Sequence, residues 1–492
     1  MHIAILKISQ FTKVFSFILS FLLPIISWQT SADQTKNKLP EMGTIATHTL
    51  SIELEKTLGD VMRRQLRAQA PIVYDPLVNE YLNDLGNRLV SKASDVKYPF
   101  YFYALEQNSI NAFATFGGTI VVHTQTLVES QSESEFASVV AHEIAHVTQR
   151  HIARKGEMQQ RNSAANIAAL LGSVLVTMIN PNVGMAALMT TQGAQQQMVL
   201  NYTRHHEKEA DRIGLQTLVA SGFDPRGAES FFGRMAEQQR YSTKLPPMLY
   251  SHPLPENRMA DIKSRVDGMP IGIYSQNIEY NFVRTRVIAR HTLSPDYHEK
   301  SFRHDVMKLQ GVDKVVAQYG LAIALVDQKK YQESKQILTS LLKLDPSNLH
   351  FVDAMTDTLI GLKEFESAYE MLEKYRAQRP TNQVVVLNYA NALNYGKRYK
   401  EAIELLKDYL LLNPEQHLAW QLITESYKGA EMSSQYHQAK AEVLAQKLGY
   451  QQAIDELHTA HNHTPKDNTA DRKRISARIK QLREEITKLE KL

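Results

Sequence analysis

Residues 141–147 read Ala-His-Glu-Ile-Ala-His-Val, and this short stretch predicts both a helix and a chemistry. His142 and His146 are four residues apart, so on a helix their side chains lie on the same face. Two neutral imidazoles at that spacing can share one zinc ion, and Glu143, about 100° around the helix, can reach a water beside it. The pattern favours metal-assisted peptide hydrolysis, provided that the chain also supplies a helix, a third ligand and a substrate surface.

The sequence around this motif predicts the helix that it needs. Residues 132–135, Ser-Glu-Ser-Glu, form a capping box, which is typical of a helix N-terminus. We expect the helix to continue to about Ala153. The apolar residues that can bury one side of it are Phe136, Val139, Val140, Ile144 and Val147.

Upstream of the motif the pattern predicts one further helix and a small sheet. Asp75-Pro76 is an N-cap followed by proline at the first helical position. Residues 99–105 are rich in strand-forming side chains. Residues 110–122 contain two strand-like runs, with Gly117-Gly118 as the turn or bulge between them.

The composition of the 492 residues excludes several classes of function. The length allows two or three domains, and the composition is that of a soluble globular protein. The net charge of +4 is small, and the basic residues are scattered, so we expect no nucleic-acid partner. Cysteine is absent, which excludes disulfides, thiolate catalysis and cysteine-ligated zinc.

Residues 1–32 have the layout of a secretory signal peptide. Two lysines precede an apolar run over residues 14–28, and small residues end at Ala32, near which we expect cleavage. An uncleaved anchor helix is the alternative, but a run of about 15 residues that contains Pro24 is short for a membrane span. We expect residues 33–49 to form a disordered linker. An exported chain without cysteine is expected in the periplasm of a Gram-negative bacterium.

A second apolar stretch runs over residues 164–179, inside the region that follows the metal motif. Its length is short for a membrane span, so we favour a buried helical hairpin or peripheral contact with a membrane over a crossing. A further helix, expected from about Thr203 to Gly222, carries several acidic residues and histidines.

The last third of the chain is a repeat array with a period of 34 residues. The period is shared by an aromatic position (Tyr331, Phe365, Tyr399), a small one (Ser334, Ala368, Ala402), a leucine (Leu338, Leu372, Leu406) and a proline (Pro346, Pro380, Pro414). This pattern is the tetratricopeptide signature: small residues allow close helix approach, and proline ends each second helix. It predicts an α-solenoid.

The array is less regular near its end. Tyr450, Ala453 and Pro465 reproduce the offsets within a repeat but arrive late, so residues 418–449 are expected to be irregular. Apolar residues at helical spacing from Ile475 to Leu489 predict a final helix, which we interpret as the cap of the solenoid rather than as a coiled coil.

The third metal ligand must be histidine, aspartate or glutamate, since cysteine is missing. Three segments bear on it: the Ala-His-Glu-Ile-Ala-His run, the stretch Glu-Lys-Glu-Ala-Asp-Arg-Ile-Gly at 207–214, and His-Pro-Leu-Pro-Glu-Asn-Arg at 252–258. Together they resemble the zinc endopeptidases related to the heat-shock protease HtpX and the CAAX prenyl protease. The resemblance implies one zinc ion per chain, held by His142, His146 and Glu207.

Other residues near the motifs leave alternatives open. Glu209 lies about 200° from Glu207 around a helix, so only one of them can face the metal. Asp211 shares the face of Glu207 and is either a hydrogen-bond partner that orients a ligand histidine or a plain salt-bridge residue. Three further histidines, His151, His205 and His206, are expected at the surface.

The resemblance also assigns catalytic roles. Glu143 is expected to act as general base toward the attacking water and then to protonate the leaving amine. His252 has two readings: it assists the transition state, or it occupies the metal's open position and holds the enzyme off. A loop histidine without a role is the third possibility. Arg258 is expected to anchor this loop.

The segment 111–122 resembles the edge strand that this family places above the zinc. Such a strand can pair with an extended substrate through backbone atoms. The family has proline before the glycine pair, whereas Phe116 stands there in this chain. The departure concerns the geometry of the turn rather than the metal chemistry.

We therefore expect a mainly α fold with a small β-sheet: a zincin-like metalloprotease domain over residues 50–305, tetratricopeptide repeats over 306–466 and a capping helix over 467–492. With the signal peptide, this arrangement resembles envelope quality-control proteases. The resemblance implies unfolded or misassembled outer-membrane barrel proteins as substrates, and repeats that dock on the barrel assembly machinery. Two alternatives are a chaperone or adaptor whose protease is latched off by His252, and a small-peptide aminopeptidase.

Overall fold

The structure is a computed structural model that describes residues 50–154, 193–241, 246–269, 272, 274 and 277–490. The predicted signal peptide, the linker and the apolar stretch at 164–179 lie outside the described residues. The expected fold class is confirmed: the described chain is mainly helical, with one three-stranded sheet. Within the described ranges, no helix is long and apolar enough to span a membrane.

The N-terminal half alternates helices with three short strands. Its elements are α1 (Ile52–Gln69), α2 (Pro76–Val90), β1 (Tyr101–Leu105), β2 (Ala112–Thr115), β3 (Thr119–His123), α3 (Thr124–Glu129), α4 (Glu133–Thr148), α5 (Gly193–Ala220), α6 (Arg226–Tyr241), α7 (Pro247–Ser251) and α8 (Glu256–Asp267). As expected, Asp75 caps α2 by accepting from the N–H groups of Leu77 and Val78.

The sheet has the order β1-β3-β2, with β1 parallel and β2 antiparallel to β3. The turn between β2 and β3 lies at the predicted glycine pair, where Gly117 and Gly118 have φ angles of 70° and 80°. Gly117 packs so tightly on α1 that a Cβ at Gly59 would lie 2.6 Å from its Cα atom. Phe116, in place of the family's proline, is buried in a small apolar cluster with residues of α1.

Helix α4 begins as predicted but ends earlier. The Ser132 hydroxyl accepts from the N–H of Glu135, whereas the Glu135 carboxylate turns to the N–H of Gln131 and to Arg234. The helix ends at Thr148 rather than at Ala153. The break occurs because Arg150 has a φ of 53°, a left-handed conformation that an α-helix cannot include.

The C-terminal half consists of paired helices. They are α9 (Ile278–His291), α10 (Pro295–Lys308), α11 (Gly311–Asp327), α12 (Tyr331–Leu344), α13 (Leu349–Gly361), α14 (Phe365–Gln378), α15 (Gln383–Tyr395), α16 (Tyr399–Leu412), α17 (His417–Gly429), α18 (Ser433–Ala445), α19 (Tyr450–His463) and α20 (Thr469–Leu489). The three repeat aromatics begin α12, α14 and α16, and a proline follows the end of each of these helices, as the repeat pattern predicts.

Residues 418–449 were expected to be an irregular part of the repeat array. They instead form the paired helices α17 and α18, although they lack the repeat consensus. Small side chains explain how: Ala441 and Ala445 of α18 are buried against α19 in an apolar cluster. Ile475, Ile479 and Leu482 of α20 complete that cluster, so the last helix covers the end of the solenoid.

Helix α9 joins the two halves. Its Tyr280 and Val283 belong to the core around α4, while Phe282 belongs to the core of the first repeats. Beside them, the buried Arg286 donates to Asp75 at the start of α2 and lies 2.6 Å from a carboxylate oxygen of Asp353 on α13. The metal motif therefore sits in a helical framework that is continuous with the repeats.

Candidate metal centre

Four buried side chains converge beside α4. His142 and His146 come from α4, Glu207 from α5, and His252 from the residue that follows α7. One ligand-type atom from each lies within 4.8 Å of all the others. The structure thus brings together the three predicted metal ligands and His252.

The distances within this group are short. Nε2 of His142 lies 3.0 Å from Nε2 of His146 and 3.4 Å from a Glu207 carboxylate oxygen. Nε2 of His146 lies 3.4 Å from the other Glu207 oxygen. The two histidines therefore present their Nε2 atoms to the same point as the carboxylate, one turn apart on the same helix face.

The close packing of α4 on α5 produces this convergence. Ala145 of α4 packs against Ala210 and Ile213 of α5, so two of the three side chains in this contact are alanines. At Gly214 a Cβ would lie only 3.1 Å from the backbone N and Cα of His142. Small residues at these positions let Glu207 reach the histidines.

Asp211 and Arg258 lie behind the ligand group. An Asp211 oxygen lies 3.1 Å from Nδ1 of His142, and Arg258 donates to both oxygens of Asp211 at 2.7 Å. Arg258 also donates to the Pro253 carbonyl and lies 3.0 Å from a Glu207 oxygen. Asp211 thus contacts a histidine and an arginine at once, and Arg258 ties the loop after His252 to α5.

His252 lies across both the ligand group and Glu143. Its Nδ1 is 3.3 Å from Nε2 of His142 and 3.1 Å from a Glu207 oxygen. Its Nε2 is 3.3 Å from Oε1 of Glu143. One imidazole therefore contacts the predicted ligands with one nitrogen and the predicted general base with the other.

Glu143 is completely buried and close to the sheet. Burial raises the pKa of its carboxyl, although the neighbouring His252 and His142 act in the opposite direction. The backbone of Ala114 on β2 also acts to lower this pKa, which places the carboxyl next to the strand. A carboxyl with a raised pKa beside an edge strand is suited to accepting a proton near neutral pH.

The electrostatics of the ligands follow from burial and mutual contact. Burial opposes the charged form of His142, but Asp211 and Glu207 together raise its pKa to about 10. Burial lowers the pKa of His146. The pKa of Glu207 is held low, against the effect of burial, by His252 and His146. A cation bound by these residues displaces their protons, since histidine ligates as the neutral imidazole.

Comparison with known proteins shows the family to which this chain belongs. Residues 76–266 match the model of Peptidase family M48, and residues 359–425 match a tetratricopeptide repeat model. The chain is 39% identical to the "Beta-barrel assembly-enhancing protease" of Yersinia pestis over 450 residues. The aligned residues make up 90% of this chain and 91% of the relative. The chain belongs to the family of beta-barrel assembly-enhancing proteases. The chain is also 38% identical over 451 residues to the protease of the same name in Escherichia coli K12. It is 40% identical over 446 residues to the "Putative beta-barrel assembly-enhancing protease" of Vibrio cholerae.

Membership among the beta-barrel assembly-enhancing proteases makes the chain a metallopeptidase with tetratricopeptide repeats, as the sequence predicted. Family M48 implies a metal, in general zinc. The donors at the site fit that metal: three imidazole nitrogens and a carboxylate form a set that zinc prefers, and they lie close enough for one ion.

Two expectations about histidines near the motif were wrong. His151 and His206 were expected at the surface, but both are buried, with 3% and 4% of their surface exposed. His205 is exposed, as expected. His151 is buried because the break at Arg150 directs it back toward His146, and Arg150 is held by a buried ion pair with Glu55. No local pattern indicates a contact between residues so far apart in the chain.

Proposed function

We propose that this chain is a periplasmic zinc endopeptidase that degrades misassembled outer-membrane β-barrel proteins and assists their assembly. The observation that carries the proposal is the convergence of His142, His146 and Glu207, with Glu143 beside them and an edge strand alongside. The names of the relatives point to barrel assembly, and similarity over nine-tenths of the chain transfers that role here as a proposal.

The roles of the protein side chains follow from their positions. When bound, zinc polarises the scissile carbonyl and acidifies the attacking water. Glu143 accepts the proton of that water and passes it to the leaving amine. Asp211, 3.1 Å from Nδ1 of His142, can orient that ring, and Arg258 fixes Asp211 in turn.

The substrate surface in this proposal is β2. It pairs with β3 on one side, and within the described residues no strand pairs with its other side. An extended segment can add there through backbone hydrogen bonds. Unassembled barrel strands have unpaired edges of the kind that such a strand captures. We further propose that the predicted signal peptide directs the chain to the periplasm and that the repeats dock on the assembly machinery.

A second candidate function is supported by His252. Its Nδ1 lies at hydrogen-bond distance from the ligand atoms, where it can serve as a fourth ligand, and its Nε2 lies next to Glu143. In addition, every residue of β2 is buried in this conformation. Both features favour a closed state in which the protease is latched and the chain acts as a chaperone or adaptor.

Cleavage of casein by the zinc-loaded full chain separates these functions. The assay compares wild type with Glu143→Gln, His252→Ala and the double variant His252→Ala/Glu143→Gln, with the exposed His205→Ala as a control. An endopeptidase gives internal cleavage that depends on Glu143, and a latch gives faster cleavage by His252→Ala. Loss of cleavage in His252→Ala instead assigns His252 to transition-state assistance. Cleavage confined to free N-termini supports an aminopeptidase, and no Glu143-dependent cleavage in either background rejects the protease.

A further inference from the structure

A second group of polar side chains lies behind the ligand group, on the far side of His146. Nδ1 of His151 lies 3.0 Å from Nδ1 of His146, and Nε2 of His151 lies 3.0 Å from a Glu209 carboxylate oxygen. Arg154 donates to the same Glu209 oxygen. The three groups thus form a continuous line from the predicted ligand His146 through His151 to Glu209.

The position of His151 is set by the helix break. Arg150, at a φ of 53°, ends the helical path and turns the next residue back over α4. Arg150 is in turn fixed by bonds to the Glu55 carboxylate and the Leu50 carbonyl, both of them near the start of α1. A left-handed conformation in a non-glycine residue costs free energy, so this turn persists because distant contacts hold it.

The His151 ring is also held in its plane. His206, which precedes the ligand Glu207 in sequence, stacks on it with ring centroids 4.2 Å apart and planes 9° from parallel. His151 is buried, and both of its nitrogens have partners. The stacking and the two nitrogen contacts together restrict the His151 ring to one orientation.

These contacts allow one pattern of hydrogens. When Nε2 of His146 faces a cation, its Nδ1 carries the hydrogen and must donate. The acceptor within reach is Nδ1 of His151, so the hydrogen of that neutral ring lies on Nε2. That hydrogen points at the Glu209 carboxylate, which accepts it. The N–H groups of His146 and His151 therefore each meet an acceptor. This arrangement leaves the lone pair on Nε2 of His146 directed at the other ligands.

We propose that His151 and Glu209 are positioning residues that fix the tautomer and orientation of His146 for metal binding. The inference rests on the proposed function, because it takes His146 as a ligand. It assigns the two predicted histidine ligands different supports: His142 has Asp211 directly behind it, whereas His146 reaches its carboxylate through a second imidazole. Groups that orient a metal-bound histidine raise the metal affinity of a site.

The test is the zinc affinity of the purified full chain, measured by competition with a chelator of known affinity. We expect His151→Ala to lower that affinity by roughly 10- to 100-fold, the loss found when an orienting partner of a ligand is removed. His151→Asn, whose amide oxygen can replace Nδ1 as acceptor, should recover most of the loss. Glu209→Ala should weaken binding in the wild-type background and have no further effect when His151 is already alanine.

The control is His205→Ala, at an exposed position close to His206. The circular dichroism of each variant shows whether it folds, and His151→Asn keeps the test decisive if His151→Ala does not. Wild-type affinity in a folded His151→Ala or His151→Ala/Glu209→Ala chain overturns the inference, as does an additive effect of the two substitutions. His146→Ala separates the two proposals: if it too binds zinc like wild type, the metal site itself is wrong.

Discussion

At the scale of single residues, Arg258 joins several parts of the metal centre behind the ligands. It is almost fully buried and contacts Asp211, Glu207 and the Pro253 carbonyl. Removing one partner of a buried ion pair leaves the other charge without compensation. The carboxylates of α5 and the loop after His252 both rely on this guanidinium.

We expect Arg258→Ala to lower the free energy of unfolding of the metal-free chain by about 3–5 kcal/mol, because buried Asp211 and Glu207 lose a cation that both contact. Arg258→Lys should fall between alanine and wild type, since an ammonium cannot bond both Asp211 oxygens in a planar fork. Urea denaturation of the three chains measures the effect. The exposed pair of Arg376 with Glu373 provides the control, and Arg376→Ala should change stability little. Equal losses in the two alanine variants would contradict this account.

The sequence predicted the residues of this site to the extent that their geometry is local. The spacing of His142 and His146 on one helix sufficed to align them. The resemblance supplied Glu207, and the structure places it against both histidines. His151 could not be predicted in the same way, because its position depends on the contact of Arg150 with Glu55, 95 residues away.

At the scale of elements, the approach of α4 to α5 sets the size of the metal centre. The two helices meet through Ala145, Ala210 and Gly214, and a Cβ at Gly214 would press on the backbone of His142. A larger residue there must push the helices apart or displace the backbone by tenths of an ångström. Because Glu207 and the histidines lie on opposite helices, their separation depends on this contact.

Gly214→Val should therefore destabilise the chain by about 1–3 kcal/mol and weaken zinc binding, as overpacking of a tight contact does. The matched control is Gly233→Val on α6, where a Cβ would meet nothing within 4 Å. That variant should keep both properties near those of wild type. Urea denaturation and chelator competition measure the two effects, and unchanged zinc affinity in Gly214→Val would show that the helices can separate without cost to the site.

Element boundaries were predicted where a capping signal is local and were missed where tertiary contacts intervene. Ser132 caps α4 as its capping box indicates, but Glu135 bonds Gln131 and Arg234 instead of closing the box on Ser132. Helix α5 begins at Gly193, ahead of the expected Thr203. The end of α4 was misplaced because a left-handed arginine has no sequence signature.

At the scale of the whole molecule, the repeats and the α4 core are joined by buried polar contacts. Besides Arg286, the ring of His417 at the start of α17 lies 4.9 Å from that of Tyr74, just before α2. Nδ1 of His417 donates to Gln446, so the neutral ring carries no hydrogen on Nε2. Burial lowers the pKa of His417 to about 4, only partly offset by Gln446.

This histidine makes stability depend on pH in a defined direction. The unfolded chain protonates it near its ordinary pKa of about 6.5, whereas the folded chain resists protonation until about pH 4. Stability from this group is therefore fully present above about pH 6.5 and decreases as the pH falls toward 4. Between pH 7 and pH 5 the decrease is about 2 kcal/mol.

We expect His417→Phe, which keeps a ring beside Tyr74, to lose less stability than wild type on acidification over that range. Urea denaturation at pH 7 and at pH 5 measures how much stability each chain loses. The metal centre is the same in both chains, so its contribution cancels when the two losses are compared. His205→Phe, at an exposed position, should behave like wild type. Parallel loss of stability in wild type and His417→Phe would exclude a role for this histidine.

The overall arrangement was predicted as far as repetition allows. The 34-residue period predicted the helices α12, α14 and α16, because each repeat carries its own packing residues. Helices α17 and α18 keep the same step, since they begin 34 residues after α15 and α16, but they lack the consensus residues by which the sequence reveals a repeat. The contacts between α9, Asp75 and Asp353 join distant parts of the chain and leave no periodic trace.

The central claim, that Glu143 is the base of a zinc endopeptidase, is tested most directly by cleavage of an unfolded outer-membrane barrel protein. The comparison uses the zinc-loaded His252→Ala chain and the double variant His252→Ala/Glu143→Gln, each with its bound zinc counted. We predict one zinc per chain in both, and fragments from internal cleavage, seen by mass spectrometry, only where Glu143 is intact. Equal cleavage by the two chains would contradict the account, and so would the absence of cleavage by these chains and by zinc-loaded wild type alike.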